Sequence, residues 1–456
     1  MTTNTRPFGA PQQVWTLAWP MILSNVSVPL LGAVDTAILG HLDSPVYLAA
    51  VAIGASILTF LLWAFGFLRM GTTGLVARAH GSGDDQAALA WLERSLLLAA
   101  ALGLSLWLLA PVAVPVVVEL MNASAAATPM ALEYTYIRLF SAPLALANFA
   151  FIGWFIGLQD SRAPLLILVC ANLLNIVLDA LFILGFGWGA RGAALATVCA
   201  DVAGFALALW LARRHLRGVR KPSAREISPL TNAAPWKALF GINGNLFVRT
   251  CALLLTFTFF TAQGAAQGDT VLAANAIMMQ LLMVTAYGLD GFAHATEALT
   301  GKAIGARDRA GFHSVVRIAT GLALLVALLL TLVFGSGSGW IPRLFTGIEP
   351  VLANLGAYWP WLCALPLITV WSYQLDGVFI GADRSREMRD TMLLATALVF
   401  FPAWWLTRGW GNHGLWFSFL LWSLARSLAM ALIYLRISRA GRWLAPQPAG
   451  EAPTGQ

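Results

Sequence analysis

The chain has 456 residues, of which 59% are hydrophobic and only 11% charged, with a formal net charge of +7 and a mean hydropathy of +0.74. An ordinary soluble domain carries about 25% charged residues, so a soluble multidomain protein is excluded, and the hydrophobicity excludes disorder. The four cysteines, Cys170, Cys199, Cys251 and Cys363, lie inside apolar stretches without metal-ligand or disulfide spacing, and read as small lipid- or core-facing residues. What remains is an all-α, polytopic membrane protein.

A membrane helix needs about 20 mostly apolar residues. Breaking the chain at polar and Gly/Pro clusters predicts spans over 14–40, 46–70, 91–118, 131–157, 164–184 and 192–212. A second set follows over 238–262, 271–298, 314–334, 353–380, 391–407 and 414–435. The first run is too long for a secretory signal and contains Asp35, so it reads as a retained helix. With about twelve helices both chain ends share one side, and 22 of the 28 Lys and Arg residues fall on that side. The positive-inside bias places both termini in the cytoplasm of a bacterial-type inner membrane. The net charge therefore reflects topology and implies no nucleic acid.

The sequence repeats at an offset of 224. Leu48–Ile53 recurs as Leu272–Ile277, Arg78–Gly81 as Lys302–Gly305, and Gly153–Gly157 as Gly377–Gly381. Six predicted helices separate the copies, so the halves have the same orientation and are related by an axis along the membrane normal, a pattern found in alternating-access transporters. The expected organisation is a six-helix lobe over 1–213, a basic linker over 214–237, a second six-helix lobe over 238–440, and a disordered tail over 441–456. The linker's positive charge suits either topology alone or anionic lipid headgroups.

Several motifs fail. Gly187–Gly192 fits GxGxxG but follows a membrane span instead of a strand, no GxxxxGK[ST] is present, and the six histidines are scattered without HExxH. An enzyme is not expected, nor any cofactor, which leaves an ion gradient as the source of energy. Six carboxylates fall within the spans: Asp35, Asp179, Asp201, Asp290, Glu297 and Asp376. Such groups are expensive in a bilayer and persist when paired, hydrated, protonated or bound to a cation. Asn172, Asn175 and Asp179 share one helix face, with Asp35 as the second carboxylate of the same half. These oxygens suit a hard cation or a held proton, or a purely structural hydrogen-bond cluster. The offset takes Asp35 to Phe259 and Asp179 to Ala403, so the second half lacks this pair. Asp290, Glu297 and Asp376 instead share their half with Arg249 and Arg426, as ion-pair partners or as a second coupling or substrate site. Pro20 interrupts the first helix and is a candidate hinge, or a packing kink.

The segment Pro29–His41 resembles the first helix of the multidrug and toxic compound extrusion family, specifically its DNA-damage-inducible (DinF) branch. Further similarity lies in Tyr134 with Ile137-Arg138, in Asn172–Asp179, in Gly192–Thr197, in Leu289–Ala293 and in Asp376–Gly381. The resemblance covers nearly the whole chain. It implies a V-shaped pair of six-helix lobes that exports amphiphilic, often cationic small molecules against H⁺ or Na⁺, as a monomer among membrane lipids. It also implies a cation site at Asp35, Tyr134, Asn175, Asp179 and Thr197, with Na⁺ possible at Asp35, Asn175, Asp179 and Thr197. Asp376 resembles a coupling acid of other branches. Antiport with H⁺ is the expectation, and a flippase for a lipid-linked precursor is the alternative. That alternative would want a ring of arginines around the cavity, and the first half offers none mid-span.

Overall fold

The computed structural model describes residues 10–40, 45–121, 124–217 and 232–444, and all regular structure among them is helical. The first half runs α1 (Pro11–Gly40), α2 (Pro45–Ala64), α3 (Phe67–Gly81), α4 (Asp85–Leu120), α5 (Ala127–Phe140), α6 (Ala142–Gly157), α7 (Arg162–Asp179) and α8 (Gly189–Leu216). The second runs α9 (Ala233–Ala265), α10 (Asp269–Gly305), α11 (Arg309–Ser336), the short α12 (Ile341–Phe345), α13 (Glu349–Gly381), α14 (Ser385–Leu394), α15 (Phe401–Thr407) and α16 (Asn412–Arg439). Ten described helices, several built from consecutive elements, are long and apolar enough to cross a membrane, or eleven if the bent α5–α6 pair is one span. The 30-residue α1 stands where the first span was expected. Most of the linker expectation (218–231), most of the tail (445–456) and His41 lie outside the described residues.

Several spans run past their expected ends because polar caps continue them into the interface. Asp84 accepts the Ala87 amide at 2.8 Å to start α4, and Asp308 accepts the Gly311 amide at 2.8 Å to start α11. These two caps are themselves 224 residues apart, so the repeat seen in the sequence extends to cap geometry.

Prolines set the bends, and specific donors repair what they break. Pro143 has no N–H for the Leu139 carbonyl, and the Trp107 indole takes that oxygen at 2.7 Å. There α5 and α6 meet at a 48° bend. Pro20 likewise leaves the Thr16 carbonyl free, and the Ser161 hydroxyl donates to it at 3.3 Å. The candidate hinge is therefore a buried, repaired position inside a helix that continues through it. Pro29 also lies inside α1, between Pro20 and Asp35.

Packing differs between the two ends of the molecule. One core cluster (Leu39, Val114, Tyr134, Ile183 and neighbours) lies wholly in the first half. Another (Phe260, Met278, Trp359, Trp416 and neighbours) lies wholly in the second. At the end rich in Lys and Arg, one cluster joins both halves, with Leu68 and Leu75 against Ala303, Phe312, Val378 and Phe379. The N-terminal part of α1 also packs on the second half, through Val14 and Ala18 against Leu289 and Phe292. The halves are thus fastened at the basic end, and at the other end each is packed on itself.

The second half contains a buried amide clasp. Asn275 and Asn412 exchange hydrogen bonds at 2.8 Å in both directions, and the Trp416 indole donates to Asn275 Oδ1 at 2.8 Å. In the repeat this position is Val51, so the clasp belongs to one half alone. Asn275→Leu should strand Asn412 and Trp416, at about 1–3 kcal/mol for each buried group left unsatisfied. Thermal unfolding in detergent should show a clear drop for Asn275→Leu. A smaller drop is expected for Asn275→Leu with Asn412→Leu than for the sum of the single changes.

Candidate functional site

In the first half, α1 packs along α7, and the Asn172 amide donates to Ser27 Oγ at 2.9 Å. This register sets the carboxyl groups of Asp35 and Asp179 side by side, close enough for one to donate to the other when it carries a proton. Asp179 is the last residue of α7, and a π-helical turn (Ala180–Gly185) follows it at once, a local widening common at functional positions. The remaining oxygens, Asp35 Oδ1 and Asp179 Oδ1, are buried and have no hydrogen-bond partner among the described residues.

Asn175 and Thr197 lie beside this pair. In the amide orientation that satisfies both neighbours, Asn175 donates to Asp179 Oδ2 at 2.8 Å and its oxygen faces Thr197 at 3.0 Å. Tyr134 is buried with its ring against Gly54, where a Cβ would lie 2.3 Å from the ring. Its phenol lies beside the Arg138 guanidinium. The structure therefore places Asp35, Asn175, Asp179 and Thr197 together in the first half, with Tyr134 near them.

Arg138 corrects the sequence reading that the first half offers no arginine mid-span. It sits in the last turn of α5, at the bend beside Ser141, where its side chain is only 11% exposed. It donates to Asp201 Oδ2 at 2.8 Å, and the Ser141 hydroxyl donates to the same oxygen at 2.7 Å. Asp201 was recognised as an intramembrane acid without a partner. That unmet charge was the signal that could have found Arg138, because a buried carboxylate demands a counter-ion.

In the second half the ion-pair expectation holds for Asp376 and needs correction for the other two acids. Asp376 accepts hydrogen bonds from both Arg249 and Arg426 on the same oxygen, while its Oδ1 has no partner. Glu297 pairs instead with Arg69 of the first half at 3.3 Å, and the His294 ring lies 3.7 Å from the same oxygen. Arg69 is one of the 22 basic residues that set sidedness in the sequence. Its 228-residue separation from Glu297 explains why no local pattern linked them. Asp290, on α10, forms no ion pair among the described residues. Cys170, Cys199, Cys251 and Cys363 carry free thiols.

A family model described as MatE matches residues 20–181 and 246–405. The two matched stretches begin 226 residues apart (246 − 20), close to the internal offset of 224. DNA damage-inducible protein F of Escherichia coli K12 is 41% identical over 435 residues, covering 95% of this chain and 94% of that one. A probable multidrug resistance protein NorM of Pseudomonas syringae pv. tomato is 27% identical over 458 residues, covering 96% and 97%. A crystal structure of MATE in the bent conformation matches with a TM-score of 0.87 at 21% identity, over 96% of this chain and 98% of that one. An outward-facing conformation of a multidrug resistance MATE family transporter matches at 0.85 and 21% identity, over 95% and 97%. At such identities the solved structures speak for the fold.

The buried pairs make a specific energetic pattern. Removing one partner of a buried pair costs about 3–5 kcal/mol because it leaves an uncompensated charge. Double-mutant cycles on unfolding should therefore give strong coupling of Asp376 with Arg249 and with Arg426, and of Glu297 with Arg69. Arg249 and Glu297 should behave additively. Coupling between those two, or none between Arg69 and Glu297, would contradict the pairing described above.

Proposed function

This chain belongs to the MatE family of multi-pass membrane transporters, and from that membership we propose that it is a cation-coupled antiporter. In this reading it exports amphiphilic or cationic small molecules by alternating access across a bacterial inner membrane, with its basic end and both termini in the cytoplasm. The names of its relatives support the substrate class: one is a probable multidrug resistance protein and another is Protein DETOXIFICATION 44 of Arabidopsis thaliana, 25% identical over 97% of this chain. The single observation that carries the coupling mechanism is the contact between Asp35 and Asp179.

The coupling ion that fits this contact best is H⁺. A proton satisfies two carboxyl groups directly, whereas Na⁺ needs several oxygens directed at one point. Asn175 offers Asp179 its amide nitrogen, at 2.8 Å, and turns its oxygen to Thr197. It is therefore placed to hold a carboxylate and not to complete a cation shell with it. Arg138 is occupied by Asp201, so the acid pair bears its own charge and responds to protons or to a cationic substrate.

With the basic end closed, the site faces the opposite side. There protons enter the acid pair, affinity for a bound cationic compound falls, and the compound leaves outward. Neutralised acids then allow the site to be turned inward at lower cost, and a gradient that moves positive charge inward supplies about 2.3 kcal/mol per 100 mV. Between Asp35 and the repaired bend at Pro20 lies Pro29, a second place where α1 bends cheaply. A flippase for a lipid-linked precursor would need arginines free to hold a pyrophosphate. Arg69, Arg138, Arg249 and Arg426 are engaged by acids, and the buried Arg94 donates to the Ala90 carbonyl of its own helix, which leaves that reading with less support.

Asn imitates a permanently protonated carboxyl. Asp35→Asn and Asp179→Asn should each fold and bind a cationic dye in detergent, yet lose gradient-driven export from cells. In proteoliposomes, an imposed H⁺ gradient should drive uptake by the parent protein and an imposed Na⁺ gradient should not. Full export by either Asn variant would overturn the coupled site. Transport driven by Na⁺ alone would overturn the choice of ion.

A further inference from the structure

The basic end carries contacts that the acid pair does not use. There α3 of the first half and α10 of the second cross backbone to backbone. A Cβ on Gly81 would lie 2.1 Å from the Lys302 carbonyl oxygen, and one on Gly305 would lie 2.0 Å from that of Arg78. The offset of 224 converts one contact into the other, Gly81 into Gly305 and Arg78 into Lys302.

The side chains at this crossing are exchanged in the same way. Arg78 reaches Asp383, in the turn after α13, at 3.0 Å. Lys302 reaches the Gln159 side-chain oxygen, in the turn after α6, at 3.1 Å. Gln159 becomes Asp383 under the same offset, and both stand in the left-handed region, at φ 65° and 60°. The two turns share one backbone form and differ in chemistry. One contact is ionic, and its symmetry mate has a neutral acceptor.

We propose that Arg78 and Asp383 form the charged latch of a gate at the basic end, and that the close crossing of Gly81 with Gly305 is the contact on which the closed gate depends. Alternating access requires the halves to part here in one step of the cycle, and every contact named above must then break. This inference rests on the transport activity of the family and not on the identity of the coupling ion, so it stands or falls apart from Asp35 and Asp179.

The electrostatics of the latch have a definite sign. Asp383 faces Arg78 on α3, its neighbour Arg384 and Glu387 on α14, and burial pushes its carboxyl up to about 6 despite the two arginines. In the open gate the hydrated carboxyl returns to its ordinary range. The closed gate then holds the proton more tightly, so acid on this side favours closure. That contribution is absent above about pH 7 and grows as the pH falls through about 6. Removing Arg78 alone leaves the half-buried acid with Arg384 and Glu387 and one cation fewer, and opposes closure, whereas neutralising both partners leaves little to compensate.

Ser161 makes a near-isosteric reporter. It is buried, and it borders a small cavity between α1, α6 and α10 with Leu17, Met21 and His294, so parting of the halves exposes it. In a protein whose native cysteines are replaced, Ser161→Cys is labelled by a membrane-impermeant maleimide applied to the basic face of vesicles. Its rate is normalised to that of an exposed control cysteine. Gly81→Ala and Gly305→Ala should each raise the rate roughly tenfold, because the added methyl overlaps a backbone carbonyl oxygen and strains the closed crossing. Gly321→Ala, whose Cβ would meet nothing within 4 Å, should not change it. Arg78→Gln should raise the rate similarly, and adding Asp383→Asn should restore it to near the parent value. Lowering the pH through about 6 should slow labelling of the parent and not of Asp383→Asn. Unchanged labelling in both glycine variants would overturn the crossing as the closed contact. Failure of Asp383→Asn to restore the Arg78 variant would overturn the latch. If the Arg78 variant does not fold, the pH response decides the latch: a parent rate that does not slow, or a slowing that Asp383→Asn retains, would overturn it.

Discussion

Helices in a bilayer gain little from hiding apolar side chains from one another, because lipid is as apolar as leucine, and the attraction that remains is close van der Waals contact between backbones. This chain meets that constraint with glycines at its crossings. A Cβ on Gly153 of α6 would lie 2.4 Å from the Arg69 carbonyl oxygen of α3, and one on Gly377 of α13 would lie 2.3 Å from that of Ala293 on α10. The two contacts are the same contact in the two halves, since Gly153 and Gly377, and Arg69 and Ala293, are each separated by 224 residues. The core of each half is therefore a pair of helices held at contact distance, and the union of the halves is a further crossing of the same kind.

On this duplicated frame the charges are distributed unequally, and the inequality assigns work to each half. The first half keeps two acids against each other, with no arginine paired to either. The second half clamps its central acid, Asp376, between Arg249 and Arg426. In a medium where an unpaired charge costs several kcal/mol, the clamped acid has its charge met by two guanidinium groups, whereas the acid pair has no such counter-ion among the described residues. Arg138 with Asp201 and Arg69 with Glu297 follow the same rule: each buried carboxylate outside the acid pair and Asp290 has a guanidinium within 3.3 Å. The pair Arg69–Glu297 also reaches across the divide, so the neutrality of the second half depends on the first.

Much of the architecture was legible from the chain alone, for particular reasons. Span positions follow from runs of about 20 apolar residues, and the offset of 224 survives in the glycine motifs because a crossing tolerates nothing larger than glycine. The five candidate site residues were legible through the face shared by Asn172, Asn175 and Asp179 and through family resemblance at Asp35, Tyr134 and Thr197. Span ends were misjudged where caps such as Asp84 and Asp308 carry a helix into the interface. The continuation of α1 through Pro20 was also hidden, because the Thr16 carbonyl that Pro20 leaves free is met by the hydroxyl of Ser161, 145 residues from Thr16.

Composition and periodicity by themselves determined that this is a helical membrane protein built twice from one plan, with acids in its spans that need an explanation. Those properties are local, set by what each stretch of chain can bury or must hydrate. Partner choice was decided only by the tertiary structure: Arg69 with Glu297, Arg138 with Asp201, both arginines with Asp376, and Arg78 with Asp383. An ion pair in a membrane is selected by distance across helices, and distances between residues tens or hundreds of positions apart exist only once the backbones have crossed.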